Sequence, residues 1–113
     1  ALGGTVNPDT ISRLKCEIIA GAANNQLADE ERDGKLCADK GICYAPDFLI
    51  NAGGLINVYS ELKGYNREQA MSQTREIYHT TLEILNKAEL EQITTHQAAL
   101  EMAQQRINER KNA

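Results

Sequence analysis

The chain has 113 residues, enough for one domain but not two, and its 42% hydrophobic and 25% charged residues are the mixture of an ordinary globular fold. With 12 Lys+Arg against 16 Asp+Glu, a net charge of −4, and no basic cluster beyond Arg110-Lys111, nucleic acid is not an expected partner. No apolar run approaches the roughly 18 residues of a bilayer span, and Ala1-Leu2-Gly3-Gly4 lacks the charged and apolar regions of a secretion signal, so a cytoplasmic protein without a membrane partner is expected.

Ala1-Leu2-Gly3-Gly4 reads as the end of a strand entering a turn, and there is no initiator Met. Domains rarely open on such a segment, so the expectation is a piece of a longer chain. Asn7-Pro8 is a helix start, with Asn as N-cap and Pro at the first helical position; a short helix should run to about Leu14. Cys16 to Ala20 is a short β-like run ending at Gly21. Ala22-Ala23-Asn24-Asn25-Gln26 then forms a polar loop at the carboxyl end of that strand. From about Asp29 to Lys40 the chain should be helical in its later part, with Asp29-Glu30-Glu31-Arg32-Asp33 as a solvated entrance. Gly41 fits the left-handed position that closes a helix.

Ile42-Cys43-Tyr44 is the second strand, and Pro46-Asp47 turns the chain into a helix. Ala52, Leu55, Ile56, Tyr59 and Leu62 follow the i, i+3, i+4, i+7 rule for its apolar face. Lys63-Gly64 ends it. Helix, strand, loop, helix, strand, helix is the order of parallel strands joined by helical crossovers. From residue 66 onward the chain has neither Gly nor Pro. Asn66 with Gln69 resembles a capping box, and Met71, Thr74, Ile77, Tyr78, Thr81, Leu82 and Leu85 mark one face of a helix of roughly 20 residues. Thr94 with Gln97 repeats the capping pattern before a last amphipathic face of Ala99, Met102, Ala103 and Ile107. Two short strands cannot cover these faces, which points to further chain or partner subunits.

Few residues carry chemistry by themselves. Asn24 and Asn25 stand where open α/β sheets bind ligands, beyond a strand's carboxyl end, and a side-chain amide offers both a donor and an acceptor to a ribose or a carboxamide. The same residues also make ordinary turns, since Asn tolerates left-handed backbone. Gly53-Gly54 lies inside a helix, where the pair costs roughly 1–2 kcal/mol relative to alanine. Close approach of a ligand and close packing of another element explain the pair equally well. His79 and His96 lack a partner at i+3 or i+4 and read as surface or edge residues, so no metal site is expected. Ser12, Ser60 and Ser72 lack a nucleophile-elbow context. Cys16, Cys37 and Cys43 are odd in number without CxxC spacing, which fits free thiols in a reducing compartment; Cys16 and Cys43 border strands and are expected to be buried and inert.

Three stretches carry a resemblance that these arguments do not reach: Ile19-Ala20-Gly21-Ala22-Ala23-Asn24-Asn25-Gln26-Leu27, Tyr44 through Val58 with its Asn51-Ala52-Gly53-Gly54, and Glu61 through Asn66. Together with the opening Ala1-Leu2-Gly3-Gly4 they resemble the leucine dehydrogenase branch of the glutamate/leucine/phenylalanine/valine dehydrogenase superfamily. The resemblance covers nearly the whole chain and is densest over residues 1–66. It implies an α/β fold: a partial Rossmann-like doubly wound parallel sheet followed by C-terminal helices. Residues 1–65 would be the second half of the NAD-binding domain, and residues 66–113 a helical segment packing on it.

The resemblance implies oxidative deamination of a branched-chain L-amino acid to its 2-oxo acid with NAD, and an intact protein that forms a homo-oligomer. Carried over residue by residue, Ala1 would lie by the nicotinamide ribose and Asn25 would contact the nicotinamide end of the cofactor. Leu55 and Val58 would line the substrate side-chain pocket. Glutamate-specific relatives tend to carry a hydroxyl at the position of Val58; a carboxylate left unpaired there loses on the order of 1–3 kcal/mol, which favours an aliphatic substrate. The GxGxxG loop, the acidic residue for the adenosine ribose and the domain bearing the catalytic lysine and aspartate are absent and would lie upstream of Ala1. No catalytic residue is therefore assigned, and the chain alone is expected to be inactive. The competing readings are a phenylalanine or glutamate dehydrogenase and a non-catalytic interaction module built on the helical tail.

Overall fold

The computed structural model of the chain describes residues 2–112. Its elements follow the expected order: α1 (Pro8–Arg13), β1 (Ile18–Ile19), α2 (Glu30–Asp39), β2 (Cys43–Tyr44), α3 (Asp47–Ile50), α4 (Ala52–Leu62), α5 (Arg67–Glu91) and α6 (Thr95–Lys111). Asn7 and Thr10 make a reciprocal capping box, each side chain accepting the other's backbone N–H at 3.0 and 2.9 Å. Pro8 sits in the first turn, where no N–H is needed. At the other end, Lys40 Nζ donates to the carbonyls of Ile11 and Leu14 at 2.5 and 2.7 Å. One ammonium thus satisfies the last carbonyls of α1 and ties them to the end of α2.

β1 and β2 are parallel, with Ile18 opposite Cys43 and Ile19 opposite Tyr44, and α2 is the crossover between them. Beside them, Val6 and Leu27 form a further parallel bridge. Val6, Ile11, Ile19, Leu27, Cys37, Ile42 and Tyr44 form the core that these elements share. The chain is therefore mostly helical around a small parallel sheet, as an α/β order requires. β1 begins only at Ile18, so Cys16, expected to be buried beside the strand, is exposed; Cys43 is half-buried.

Two corrections concern α2. It is helical from Glu30 onward, because Asp29 caps it by accepting the Arg32 N–H at 2.9 Å. Asp33, expected in a solvated entrance, has no exposed surface. Its carboxylate accepts the Asp29 N–H at 2.9 Å and pairs with the Arg32 guanidinium at 3.0 Å. Burial pushes the Asp33 carboxyl up, but the bonds from Arg32 and from the Asp29 backbone outweigh it and hold the group below its usual range.

The helical half has a separate core, in which Ile84 and Ala88 of α5 meet Ala98 and Ala99 of α6. Small side chains let the two helices approach closely, and Leu49, Ile93 and Met102 pack against the contact. Asn66 and Thr94 cap α5 and α6 as expected, accepting the N–H groups of Gln69 and Gln97. The expected faces hold in part: Thr74, Ile77, Thr81 and Leu85 of α5 are half-buried, and Ala99 and Met102 of α6 join the contact. Ala70, Ile84 and Ala88 are the buried positions of α5, whereas Met71, Tyr78 and Leu82 are exposed. In α6 Ile107 is exposed, and His96, expected at an edge, is buried against Glu30 at 3.1 Å. Among the described residues no helix is long and apolar enough to cross a membrane.

Candidate functional site

The loop after β1 is held on both sides. On one side Gly4 N–H donates to the Asn25 carbonyl at 2.8 Å and Val6 N–H to that of Gln26 at 3.0 Å. The approach is close: a Cβ on Gly3 would lie 3.0 Å from the carbonyl oxygens of both Asn24 and Asn25. A side chain there would force the loop aside, which is the physical reason for glycine at that position. On the other side Asp47, at the start of α3, accepts the Gln26 N–H at 3.0 Å through one carboxylate oxygen and the Phe48 N–H at 2.7 Å through the other. Asn51 Nδ2 donates to Asn24 Oδ1 at 2.5 Å. Asp47 and Asn51 are an i, i+4 pair, so both reach the same neighbour.

Asn25 occupies the crest of this loop with φ 52°, in the left-handed region that Asn tolerates better than most residues. Its backbone carbonyl is engaged and its side chain is exposed. The amide therefore stands at the carboxyl end of β1 with its donor and acceptor available, an arrangement that suits the carboxamide end of a nicotinamide.

The expected single helix through Gly53-Gly54 is broken at Asn51, which separates α3 from α4. α4 buries no residue. Leu55 and Val58 are 74% and 56% exposed, and Tyr59 and Leu62 continue the apolar stripe. A Cβ on Gly54 would meet nothing within 4 Å, and one on Gly53 only Thr74, at ordinary contact distance. Packing within the described residues therefore does not explain the glycine pair.

The structure thus joins the Asn24-Asn25 loop to the start of α4 and leaves Leu55 and Val58, one and two turns further on, uncovered. Ala1 lies outside the described residues. Asp47 and Asn51 were not singled out from the sequence, where they read as a turn and as the flank of a glycine pair. Their i, i+4 spacing across a helix start was the available signal.

Below the loop, burial and then the Asp47 carboxylate push the Tyr44 hydroxyl up to about 12, so it stays neutral. Burial likewise raises the Cys37 thiol, which is inert packing. The Thr95 hydroxyl donates to the Tyr44 carbonyl and Phe48 sets its ring edge-on to His96, so the start of α6 docks beside the same strand end. Among the described residues no three His, Cys, Asp or Glu side chains are grouped to hold a metal. An open groove of about 870 Å³ lies elsewhere, between α2 and the corner joining α5 to α6, and shares no residue with the loop.

Known proteins match this chain along its length. The pattern that defines the family described as Glutamate/Leucine/Phenylalanine/Valine dehydrogenase matches residues 1–113. The chain is 53% identical over 107 residues to a leucine dehydrogenase of Thermoactinomyces intermedius, covering 95% of this chain and 29% of that protein. It is 52% identical to a phenylalanine dehydrogenase of Bacillus thermotolerans, over 97% of this chain and 28% of the relative. The crystal structure of L-tryptophan dehydrogenase from Nostoc punctiforme superposes with a TM-score of 0.95 at 50% identity, over 100% of this chain and 34% of that one. The chain therefore spans about a third of the length of the relatives it matches.

Proposed function

The chain belongs to the glutamate/leucine/phenylalanine/valine dehydrogenase family, and on that premise we propose that it is the carboxy-terminal part of an NAD-dependent dehydrogenase that oxidatively deaminates a branched-chain L-amino acid. The Cα–H leaves as hydride, the amino group gives up a proton to a base in the rest of the polypeptide and becomes an imine, and water converts the imine to the 2-oxo acid and ammonia. NAD, when bound, supplies the hydride acceptor. In this reading Asn25 holds the nicotinamide end. Leu55 and Val58 form the hydrocarbon wall against which the substrate side chain packs. β1 and β2 are the margin of a larger doubly wound, Rossmann-like sheet, with residues 1–65 in the NAD-binding domain and 66–113 packing on it. The catalytic groups lie in the rest of the polypeptide, so residues 1–113 alone have no activity. The intact protein is a cytoplasmic homo-oligomer.

One observation carries the reading: an exposed amide at a strand's carboxyl end, hydrogen-bonded through its neighbour to the start of a helix whose next turns present bare aliphatic side chains. The open space at Gly54 supports it, since that glycine leaves room for a ligand that packing does not fill. An aromatic substrate is the second reading, favoured by phenylalanine and tryptophan dehydrogenases at 52% and 50% identity.

The test uses the whole polypeptide and measures kcat/KM for leucine, isoleucine, valine, phenylalanine, tryptophan and glutamate, in the wild type and in Val58→Ser. Loss of apolar contact at one pocket position is worth about 1–3 kcal/mol, roughly 10- to 200-fold. The branched-chain values should fall by that order, with glutamate the least affected. Unchanged branched-chain values in Val58→Ser would remove Val58 from the pocket, and a wild-type preference for phenylalanine or tryptophan would select the second reading.

A further inference from the structure

The proposed chemistry needs two surfaces in fixed register: the loop that holds the nicotinamide end and the helix that walls the substrate side chain. They come from separate parts of the sequence. Two side chains span the gap, Asn51 to Asn24 and Asp47 to Gln26, and Asp47 is the one that holds the loop by its backbone. One oxygen receives the Gln26 N–H at 3.0 Å, across 21 positions of sequence, and the other receives the Phe48 N–H at 2.7 Å. The carboxylate is half-buried, and both bonds are charge-assisted, the stronger class of hydrogen bond. Gln26 directly follows Asn25, and Phe48 lies in the first turn of the short helix that runs into the Asn51 break and α4.

We propose that Asp47 is a positioning residue for the dehydrogenation: it sets the distance between the Asn25 amide and the Leu55–Val58 wall, and so the approach of the substrate Cα–H to the hydride acceptor. The Asn24–Asn51 bond at 2.5 Å braces the same junction from one helical turn away. The carbonyls of Asn25 and Gln26 are fixed from the opposite side by Gly4 and Val6. With Asp47 gone, the loop keeps those two backbone bonds and the Asn24–Asn51 bond, and loses the charge-assisted link from Gln26 to the start of α3. Hydride transfer depends steeply on alignment, and a displacement of about 1 Å costs on the order of 100-fold. The proposal rests on the dehydrogenase reading above.

The experiment compares wild type, Asp47→Ala, Asp47→Asn and Asn25→Gly in the whole polypeptide. It measures steady-state kinetics with leucine and with leucine deuterated at Cα. A residue that only stabilises the fold lowers the amount of active enzyme and leaves KM and the isotope effect where they were. A positioning residue slows the hydride step itself. Asp47→Ala should lower kcat about 10- to 100-fold, with a smaller change in KM, and raise the deuterium isotope effect on kcat. Asp47→Asn keeps one acceptor oxygen and should fall between Asp47→Ala and wild type. If Asp47→Ala does not fold, Asp47→Asn decides by its isotope effect, which reports on the molecules that turn over. An isotope effect equal to wild type in a variant that turns over overturns the proposal. If wild type does not reduce NAD with any amino acid, the underlying functional reading fails instead; if Asn25→Gly keeps full kcat/KM, the amide contact whose register Asp47 would set is refuted, and the proposal with it.

Discussion

Replacing Asn25 by glycine separates the two reasons for an asparagine at that position. The backbone there has φ 52°, where glycine is at ease and other residues pay about 1–2 kcal/mol, Asn among the least. The hydrogen bond that the Asn25 carbonyl accepts from Gly4 at 2.8 Å is a backbone bond and survives the change. Asn25→Gly should therefore hold the fold within about 1 kcal/mol of wild type. The side-chain amide disappears, however, and in the proposed complex the cofactor group it satisfies is left unpaired. That costs about 1–3 kcal/mol, or roughly 5- to 150-fold in kcat/KM at 1.4 kcal/mol per tenfold. Asn25→Ala should show the same kinetic loss and, because its Cβ is strained in the left-handed region, a lower urea midpoint. The assay is NAD reduction with leucine beside urea unfolding of the same preparations. If Asn25→Gly retains kcat/KM within about twofold at unchanged stability, the asparagine serves only as a turn residue and the cofactor contact is refuted.

Further outcomes follow from other sites. Gln92 ends α5 in the left-handed region with φ 54°, so Gln92→Gly should raise stability by up to about 1 kcal/mol in urea unfolding; a lowered midpoint would contradict this. Asp33→Asn turns an amide N–H₂ toward the Arg32 guanidinium and should cost about 1–3 kcal/mol at neutral pH. Because the native carboxyl is held below its ordinary 3.8, its contribution is complete above about pH 4 and is lost as pH falls through the native value. The gap between wild type and Asp33→Asn should thus close in acid, and a constant gap would argue against the ion pair. Tyr44 shows the opposite sign. Its native value, about 12 against an ordinary 10.0, favours the neutral phenol, so the stabilisation holds below pH 10 and drains away as pH rises toward 12. Tyr44→Phe should flatten that alkaline loss, bounded at about 3 kcal/mol, in unfolding midpoints measured from pH 9 to 12.

What the sequence made legible was local chemistry. Asn7-Pro8, Asn66 and Thr94 announce helix starts because each cap is a bond between residues three apart, and Gly41 announces a stop because its φ of 77° suits glycine. What stayed hidden depended on burial by the fold, on distant partners or on small side chains. Asp33 lies in an acidic run that looks solvated, and only the fold of Arg32 and Asp29 around it makes burial tolerable. Reading α5 by its large apolar residues put Met71, Tyr78 and Leu82 inward, whereas the actual contact uses Ala70, Ile84 and Ala88. Alanine carries little weight in a periodicity argument, yet its size is what lets α5 and α6 approach. His96 was hidden because its partner Glu30 comes from another helix.

The candidate site divides along the same line. Asn25 could be singled out because it follows a strand, but its anchor, Asp47, is 22 positions away, and no periodicity connects them. Family and substrate are also carried by different residues. Identities of 53%, 52% and 50% to leucine, phenylalanine and tryptophan dehydrogenases are nearly equal because identity counts the whole chain. Choice among side chains of a substrate turns on a few kcal/mol at a few wall positions. The α3–α4 segment separates the two tasks in space. Its polar residues 47 and 51 end in bonds to the loop, while 55 and 58, one and two turns on, present hydrocarbon to open space. On the proposed reading, since the bonds to the loop stop at Asn51, a substitution at Leu55 or Val58 changes which amino acid is accepted and leaves the loop that would hold the cofactor where it is. Substrate preference and affinity for NAD should then vary independently at those two positions, and a joint loss of both would show that the wall and the loop are one structural unit.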